Sequence, residues 1–182
     1  MKTYYRNHLP HLTPIGGCFF ITFCTQDSIP IHKNIVSFNK SFINTFYENG
    51  RKHEFKTSQI DLTFPAIANT IKDTIEKYDN TFYELLYFTI MPNHVHLIFN
   101  TGFRSDPEPL HNIMRHLKGS SSRAINLILK RSGTFWQKDS YDHLIRTEKE
   151  LSDMGDYIVE NPVKASKVTK WEDWPWTYVK YI

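Results

Sequence analysis

Residues 82–100 read FYELLYFTIMPNHVHLIFN. Two apolar runs, Phe82–Met91 and His94–Asn100, are rich in aromatic and β-branched residues and are broken only by Pro92-Asn93. Such runs favour extended chain, and a Pro-Asn pair between them favours a tight turn. The stretch therefore predicts two strands joined by a tight turn. Side chains alternate along a strand, which sends Val95, Leu97 and Phe99 to one face and His94 and His96 together to the other. The apolar face needs a cover, and the flanking sequence has to supply it.

Upstream, residues 17–25 form an apolar run behind Gly16 and predict a buried strand. Pro65 suits the first turn of a helix, with Ile67, Ile71, Ile75 and Tyr78 on one face. Downstream, a helix is expected from about Pro109 to Lys130, with Leu110, Ile113, Met114, Leu117, Ala124 and Ile128 as its apolar stripe and Gly133 placed to end it. Residues 134–146 hold one or two strands. Thr147-x-x-Glu150 is a capping-box pattern. It opens a helix striped by Leu151, Met154 and Ile158, which Pro162 is expected to stop near Glu160.

The order is strand, helix, strand, strand, helix, strand, and one more helix. It predicts an α+β fold: a ferredoxin-like split β-α-β unit, an antiparallel sheet with helices on one face, plus an extra C-terminal helix. Residues 1–182 read as a single domain. Residues 26–64 could be a family-variable insertion; Phe38, Phe42 and Phe46 suggest a short helix there. Residues 165–182 make an aromatic C-terminal tail.

Apolar content of 40% and charged content of 23% are those of an ordinary globular protein. No apolar stretch reaches the roughly 18 residues of a spanning helix, and MKTYYRNHLPHLTP lacks a secretory core, so a cytoplasmic, nucleoid-associated protein with no membrane partner is expected. Cys18 and Cys24 would share a strand face too far apart to bridge, and read as buried thiols. A net charge of +3 permits nucleic-acid binding without requiring it. Its distribution says more. Between His111 and Arg146 stand seven bases (Arg115, Lys118, Arg123, Lys130, Arg131, Lys138 and Arg146) against two acids. Such a run is either a DNA-binding surface or a solvated face.

Two constellations could carry chemistry. The His94-x-His96 spacing suits two ligands of one divalent ion, although histidines at a strand surface have the same spacing. On the last helix, Tyr157 and Asn161 stand one turn apart on a flank of the apolar stripe. That pair could place a phenolic oxygen beside a polar metal ligand. It could equally be a boundary tyrosine that packs its ring and wets its hydroxyl. Tyr141 and Tyr178 compete for a chemical role, but neither has a polar residue one helical turn on.

In order along the chain stand Met91-Pro92-Asn93-His94-Val95-His96-Leu97-Ile98-Phe99, Leu117-Lys118-Gly119, Phe135-Trp136-Gln137, Tyr141-Asp142-His143-Leu144-Ile145-Arg146 and Tyr157-Ile158-x-x-Asn161-Pro162-Val163-Lys164-Ala165. This series, over roughly residues 85–178, closely resembles the REP-associated tyrosine transposases, a branch of the single-tyrosine transposases named for a His-hydrophobe-His signature. The resemblance implies His94 and His96 as metal ligands, Tyr157 as nucleophile and Asn161 in the place of a polar third ligand. It implies Mg2+ or Mn2+ as cofactor and single-stranded or hairpin DNA, a palindromic repeat, as partner. Cleavage and strand transfer would pass through a 5′-phosphotyrosine, in a monomer or a homodimer. After Ala165 the family usually continues Gly-Leu-Val; here Ser166-Lys167-Val168 stands. Two other readings remain: a domesticated hairpin-binding protein that no longer cuts, and a small metal-dependent hydrolase acting on something other than DNA. Trp171, Trp174 and Trp176 could stack on bases or dock on the protein's own core.

Overall fold

In the computed structural model, residues 2–6, 10–14, 16–28 and 60–180 are described. Phe38, Phe42 and Phe46 lie outside these residues. A hairpin of β1 (Lys2–Arg6) and β2 (Pro10–Pro14) forms a separate two-stranded sheet. Then follow β3 (Cys18–Cys24), α1 (Pro65–Lys77), β4 (Glu84–Ile90), β5 (His94–Asn100), α2 (Leu110–Ile128), β6 (Tyr141–Ile145), α3 (Glu148–Lys164) and, after a short 3-10 turn, β7 (Thr177–Val179). The five strands from β3 onward form one antiparallel sheet in the order β6-β3-β5-β4-β7. Its first four strands have the order of the split β-α-β unit, with β5 central.

Alternation along the strands fixes what each face carries. Phe19, Ile21, Phe23, Leu85, Phe88, Val95, Leu97 and Phe99 pack under α1 and α2 as one buried cluster. Along α2 the stripe departs from the expected one. Ser121 and Ile125 face inward, while Ala124 is half-buried and Ile128 is exposed. A buried serine is tolerated because its hydroxyl donates to Leu117 O (2.6 Å) and accepts from Trp136 Nε1 (2.9 Å). Nor does Gly133 end this helix. Lys130 takes a left-handed φ of 50°, and the Arg131 and Lys130 amides bond to Asn126 O and Leu127 O at 2.9 and 3.2 Å, a Schellman ending.

The opposite face carries α3, whose Tyr157 and Ile158 pack on Phe20, Ile98, Tyr141 and Ile145. Thr147 caps the helix by accepting from the Glu150 amide (3.1 Å). The Glu150 carboxylate reaches back to the Arg146 amide (2.7 Å), one residue beyond the usual capping box, and to His143 Nε2 (2.6 Å). Pro162 does not stop the helix near Glu160. It sits in the last turn, where its missing N–H removes a single helical bond, and the chain turns away only at Ser166, with φ at 54°. The Lys167 and Ser166 amides bond to Pro162 O and Val163 O at 2.9 and 2.8 Å, a second Schellman ending.

The tail docks on its own core. Trp174 Nε1 donates to Ile90 O (3.1 Å), the Ile90 amide donates to Trp176 O (3.0 Å), and Tyr178 stacks on Phe88. Both cysteines are free thiols, Cys24 buried and Cys18 half-buried, and burial pushes each up to about 12. Among the described residues no helix is long and apolar enough to cross a membrane.

Candidate active site

The strand registers place Tyr141, Thr22, His96, Thr89 and Thr177 side by side across all five strands, on the face beneath α3. This is a polar row in a largely apolar face, with Thr22 Oγ1 2.7 Å from His96 Nδ1 and Thr89 Oγ1 2.9 Å from Thr177 Oγ1. His94 shares the face one pair further along β5. The two imidazoles converge, with Nε2 atoms 3.1 Å apart. His94 Nδ1 lies 2.7 Å from Asn93 Oδ1. Burial pulls His94 down to about 4, and burial together with His94 pulls His96 well below its ordinary range, so both rings are neutral at pH 7.

The helix brings its pair to the same place. Gly155 presses on Tyr87, where an added Cβ would lie 2.9 Å from the ring carbon Cζ. That close approach turns the line Gly155, Tyr157, Ile158, Asn161 toward the sheet. Tyr157 and Asn161 are therefore buried, at 7% and 5% exposure, and do not sit at the boundary. The Tyr157 ring lies 5.3 Å from His96 and 5.9 Å from Phe20, and Phe20 in turn stacks on His96. Asn161 Nδ2 is 3.4 Å from His96 Nε2, and Lys164 Nζ lies 5.8 Å over the Tyr157 ring. Tyr141 occupies the same face, but burial first, then Asp142, Glu150 and Tyr157, push its phenol far above the ordinary range.

Thus His94, His96, Tyr157 and Asn161, read from four positions in the sequence, meet in one cluster. A divalent ion fits the donors present. Two nitrogens about 2.1 Å from one ion and at right angles lie about 3 Å apart, close to the separation found here. Among the described residues no three His, Cys, Asp or Glu side chains group together. The Asn161 carboxamide is a further polar group of the cluster, beside His96.

The basic run is less concentrated. Arg115 and Arg123 project to solvent from α2, on the far side of the sheet from the histidines, and Lys130, Arg131, Lys138 and Arg146 are also exposed. Lys118 is committed: its ammonium donates to Gln137 O, Lys138 O and Asp139 O at 2.9, 3.2 and 3.2 Å. Burial pulls it down to about 8 while Asp139 pulls it back up, leaving it protonated at pH 7. Between α2 and residues 134–138 runs a groove of about 350 Å3, lined by Gly119, Ser122, Arg123, Gln137 and Lys138 among others. Gln137 ties this loop to the end of β3, through its amide to Cys24 O (2.9 Å) and its carboxamide to Thr25 O (3.1 Å). Thr25 N in turn bonds Asn93 O (3.0 Å).

Thr22, Phe20 and Lys164 belong to the cluster without having been singled out from sequence. Only Asn93 carried a signal, as the turn residue directly before His94.

The sheet therefore presents paired histidines to a helix-borne tyrosine, the arrangement that the resemblance to the single-tyrosine transposases implied. Residues 45–161 match the profile of the family described as Transposase IS200 like, a span that includes both histidines and Tyr157 and ends on Asn161. The chain belongs to that family. It is 26% identical, over 171 residues, to a Haemophilus influenzae protein named for the REP-associated tyrosine transposases, covering 89% of this chain and 79% of that one. It also shares the fold of a REP-associated tyrosine transposase solved bound to a REP hairpin, with a TM-score of 0.63 at 20% identity, covering 97% of this chain and 82% of the other.

Proposed function

We propose that this transposase is a metal-dependent endonuclease and strand transferase for single-stranded, hairpin-forming DNA. The observation that carries the reading is the meeting of Tyr157 with two converging imidazoles, His96 lying 5.3 Å from the tyrosine ring and 3.1 Å, between Nε2 atoms, from His94. His94, His96 and Asn161 would hold Mg2+ or Mn2+. An ion held there would supply a Lewis acid for a phosphate oxygen and would neutralise developing charge.

Tyr157 is the nucleophile. Its phenolic oxygen attacks the phosphorus and gives up its proton; the P–O3′ bond breaks, and the 3′ oxygen leaves as a hydroxyl after taking up a proton. The 5′ phosphate stays on Tyr157. One phosphodiester replaces another, so the step needs no ATP and runs backwards when a 3′-hydroxyl attacks. Packing against Phe20 and His96 keeps the tyrosine ring from swinging, which helps align the attack. The hairpin preference rests on the fold shared with a transposase solved on a REP hairpin. Arg123 and Lys138, along the groove beside α2, are the cations best placed to follow a phosphate backbone. Arg115, Lys130, Arg131 and Arg146 would contribute a weaker, diffuse field.

Labelled hairpin oligonucleotides, incubated with Mg2+ or Mn2+ and run on a denaturing gel, test the reading. Wild type should give a covalent protein–DNA band that needs metal, and Tyr157→Phe should give none. An adduct that survives in Tyr157→Phe moves the role to Tyr141. Tight binding without any adduct makes the protein a hairpin binder that does not cut.

A further inference from the structure

Three side chains of α3 stand in one line. Asn161 lies four residues beyond Tyr157 and Lys164 seven, so all three fall within about 60° of one another around the helix. Helical side chains lean toward the N-terminus, and the long stem of Lys164 therefore leads back toward Tyr157. Its ammonium lies 5.8 Å over the Tyr157 ring. Lys164 is exposed where Tyr157 and Asn161 are buried, which puts a cation at the solvent edge of the cluster.

Charge gives this position a use. A phosphodiester brings one negative charge, and more gathers on its oxygens as it is attacked. The two imidazoles are neutral at pH 7 and Asn161 is uncharged, so these three bring no charge of their own to meet it. Of the basic run, Lys118 is held by three carbonyls, and Arg115 and Arg123 stand on the far side of the sheet. The last turn of a helix favours a lysine in any case, and Glu160, one turn earlier, suits an ion pair with it. Neither of those roles calls for the ammonium to lie over the ring of Tyr157.

We propose that Lys164 is a catalytic residue, whose ammonium moves from the Tyr157 ring onto the phosphate being joined to it and offsets the charge that builds there. This rests on the reading of Tyr157 as nucleophile. The bonds made and broken are those of that reading, and Lys164 adds charge alone. A compact charge on a flexible stem suits such a shift. Because the same phosphate is attacked in the return step, Lys164 serves cleavage and strand transfer alike.

Single-turnover formation of the covalent adduct, on saturating labelled hairpin with Mn2+, tests the role. Lys164→Met keeps most of the stem and removes the charge. It should slow the adduct about 100-fold, while hairpin affinity falls by no more than about 3-fold, one phosphate contact among several being lost. Lys164→Arg, which keeps the charge, should stay within about 10-fold of the wild-type rate. Resealing of the isolated Lys164→Met adduct by a strand with a 3′-hydroxyl should slow by the same factor as its formation. Glu160→Gln removes the pairing along the helix and leaves the ammonium, and should stay within about 3-fold of wild type. A wild-type rate in Lys164→Met overturns the proposal. So does a rate loss that Glu160→Gln shares or that arginine does not recover, either of which makes Lys164 a prop for the helix end. No adduct from wild type on a bound hairpin overturns the reading of Tyr157, and this role with it.

Discussion

His94 and His96 serve as neutral rings, and neutrality makes them a liability in acid. Unfolded, each would titrate near 6.5; folded, burial holds His94 down to about 4 and His96 well below its usual value. The unfolded chain therefore binds more protons than the folded one below pH 6.5. Stability is full above that pH and is lost as pH falls toward about 4. For His94 alone the loss corresponds to about 3 kcal/mol. Urea unfolding of wild type at pH 7 and pH 4.5 should show a loss of that order, and His94→Gln should lose distinctly less over the same interval. Equal wild-type midpoints at the two values would mean that the rings are not held neutral. The convergence of the two rings was legible because strand alternation is a local rule, needing only residues 94 and 96. The contacts that Asn93 and Thr22 make with the rings were not. Thr22 reaches His96 through a strand register linking positions 74 apart, and no spacing along the chain encodes that.

The helix that carries Tyr157 is defined by its ends and by one close approach. Its exit turns at Ser166, where the resemblance led to the expectation of Gly. Position 166 is the residue of the Schellman ending that takes the left-handed conformation, with φ at 54°. That conformation costs a residue with a Cβ about 1 kcal/mol more than glycine. Ser166→Gly should therefore raise stability by about 1 kcal/mol in urea unfolding while leaving the yield of covalent adduct unchanged. A loss of stability would show that the Ser166 side chain makes compensating contacts. The existence and start of the helix were legible from Thr147 and its capping pattern. Its buried face was legible only in part: Ile158 is buried and Leu151 and Met154 pack against the same cluster, but Tyr157 and Asn161 are buried beside them, where Gly155 closes on Tyr87. Pro162 misled for a related reason: in a last turn buried against the sheet, packing outweighs one missing hydrogen bond.

At the scale of the molecule, the split β-α-β order was readable because its helices are long and periodic and its apolar strands are punctuated by Pro, Gly or a cap. The β1–β2 hairpin and β7 were not, being short and, in the case of β7, completed only by pairing with β4. Charge distribution has the same limit: seven bases in one run of sequence become a clamp, a groove and scattered surface cations. Lys118 is spent on three carbonyls. Arg123 and Lys138 line the groove, whose wall is tied through Gln137 and Thr25 to the backbone of Asn93. Arg115 lies on the same helix as Arg123 but outside the groove lining. Lys118 lines the groove as well but stays on its three carbonyls, so if the phosphate backbone follows the groove, Arg123 and Lys138 each neutralise about one phosphate. The slope of log affinity against log salt should then shrink by about 0.7–0.9 for each one removed. Hairpin binding measured across 50–300 mM salt should therefore flatten in Arg123→Ala and flatten further with Lys138→Ala, while Arg115→Ala keeps close to the wild-type slope. An Arg115→Ala slope as shallow as that of Arg123→Ala would move the DNA out of the groove and make the whole helix face a diffuse electrostatic surface.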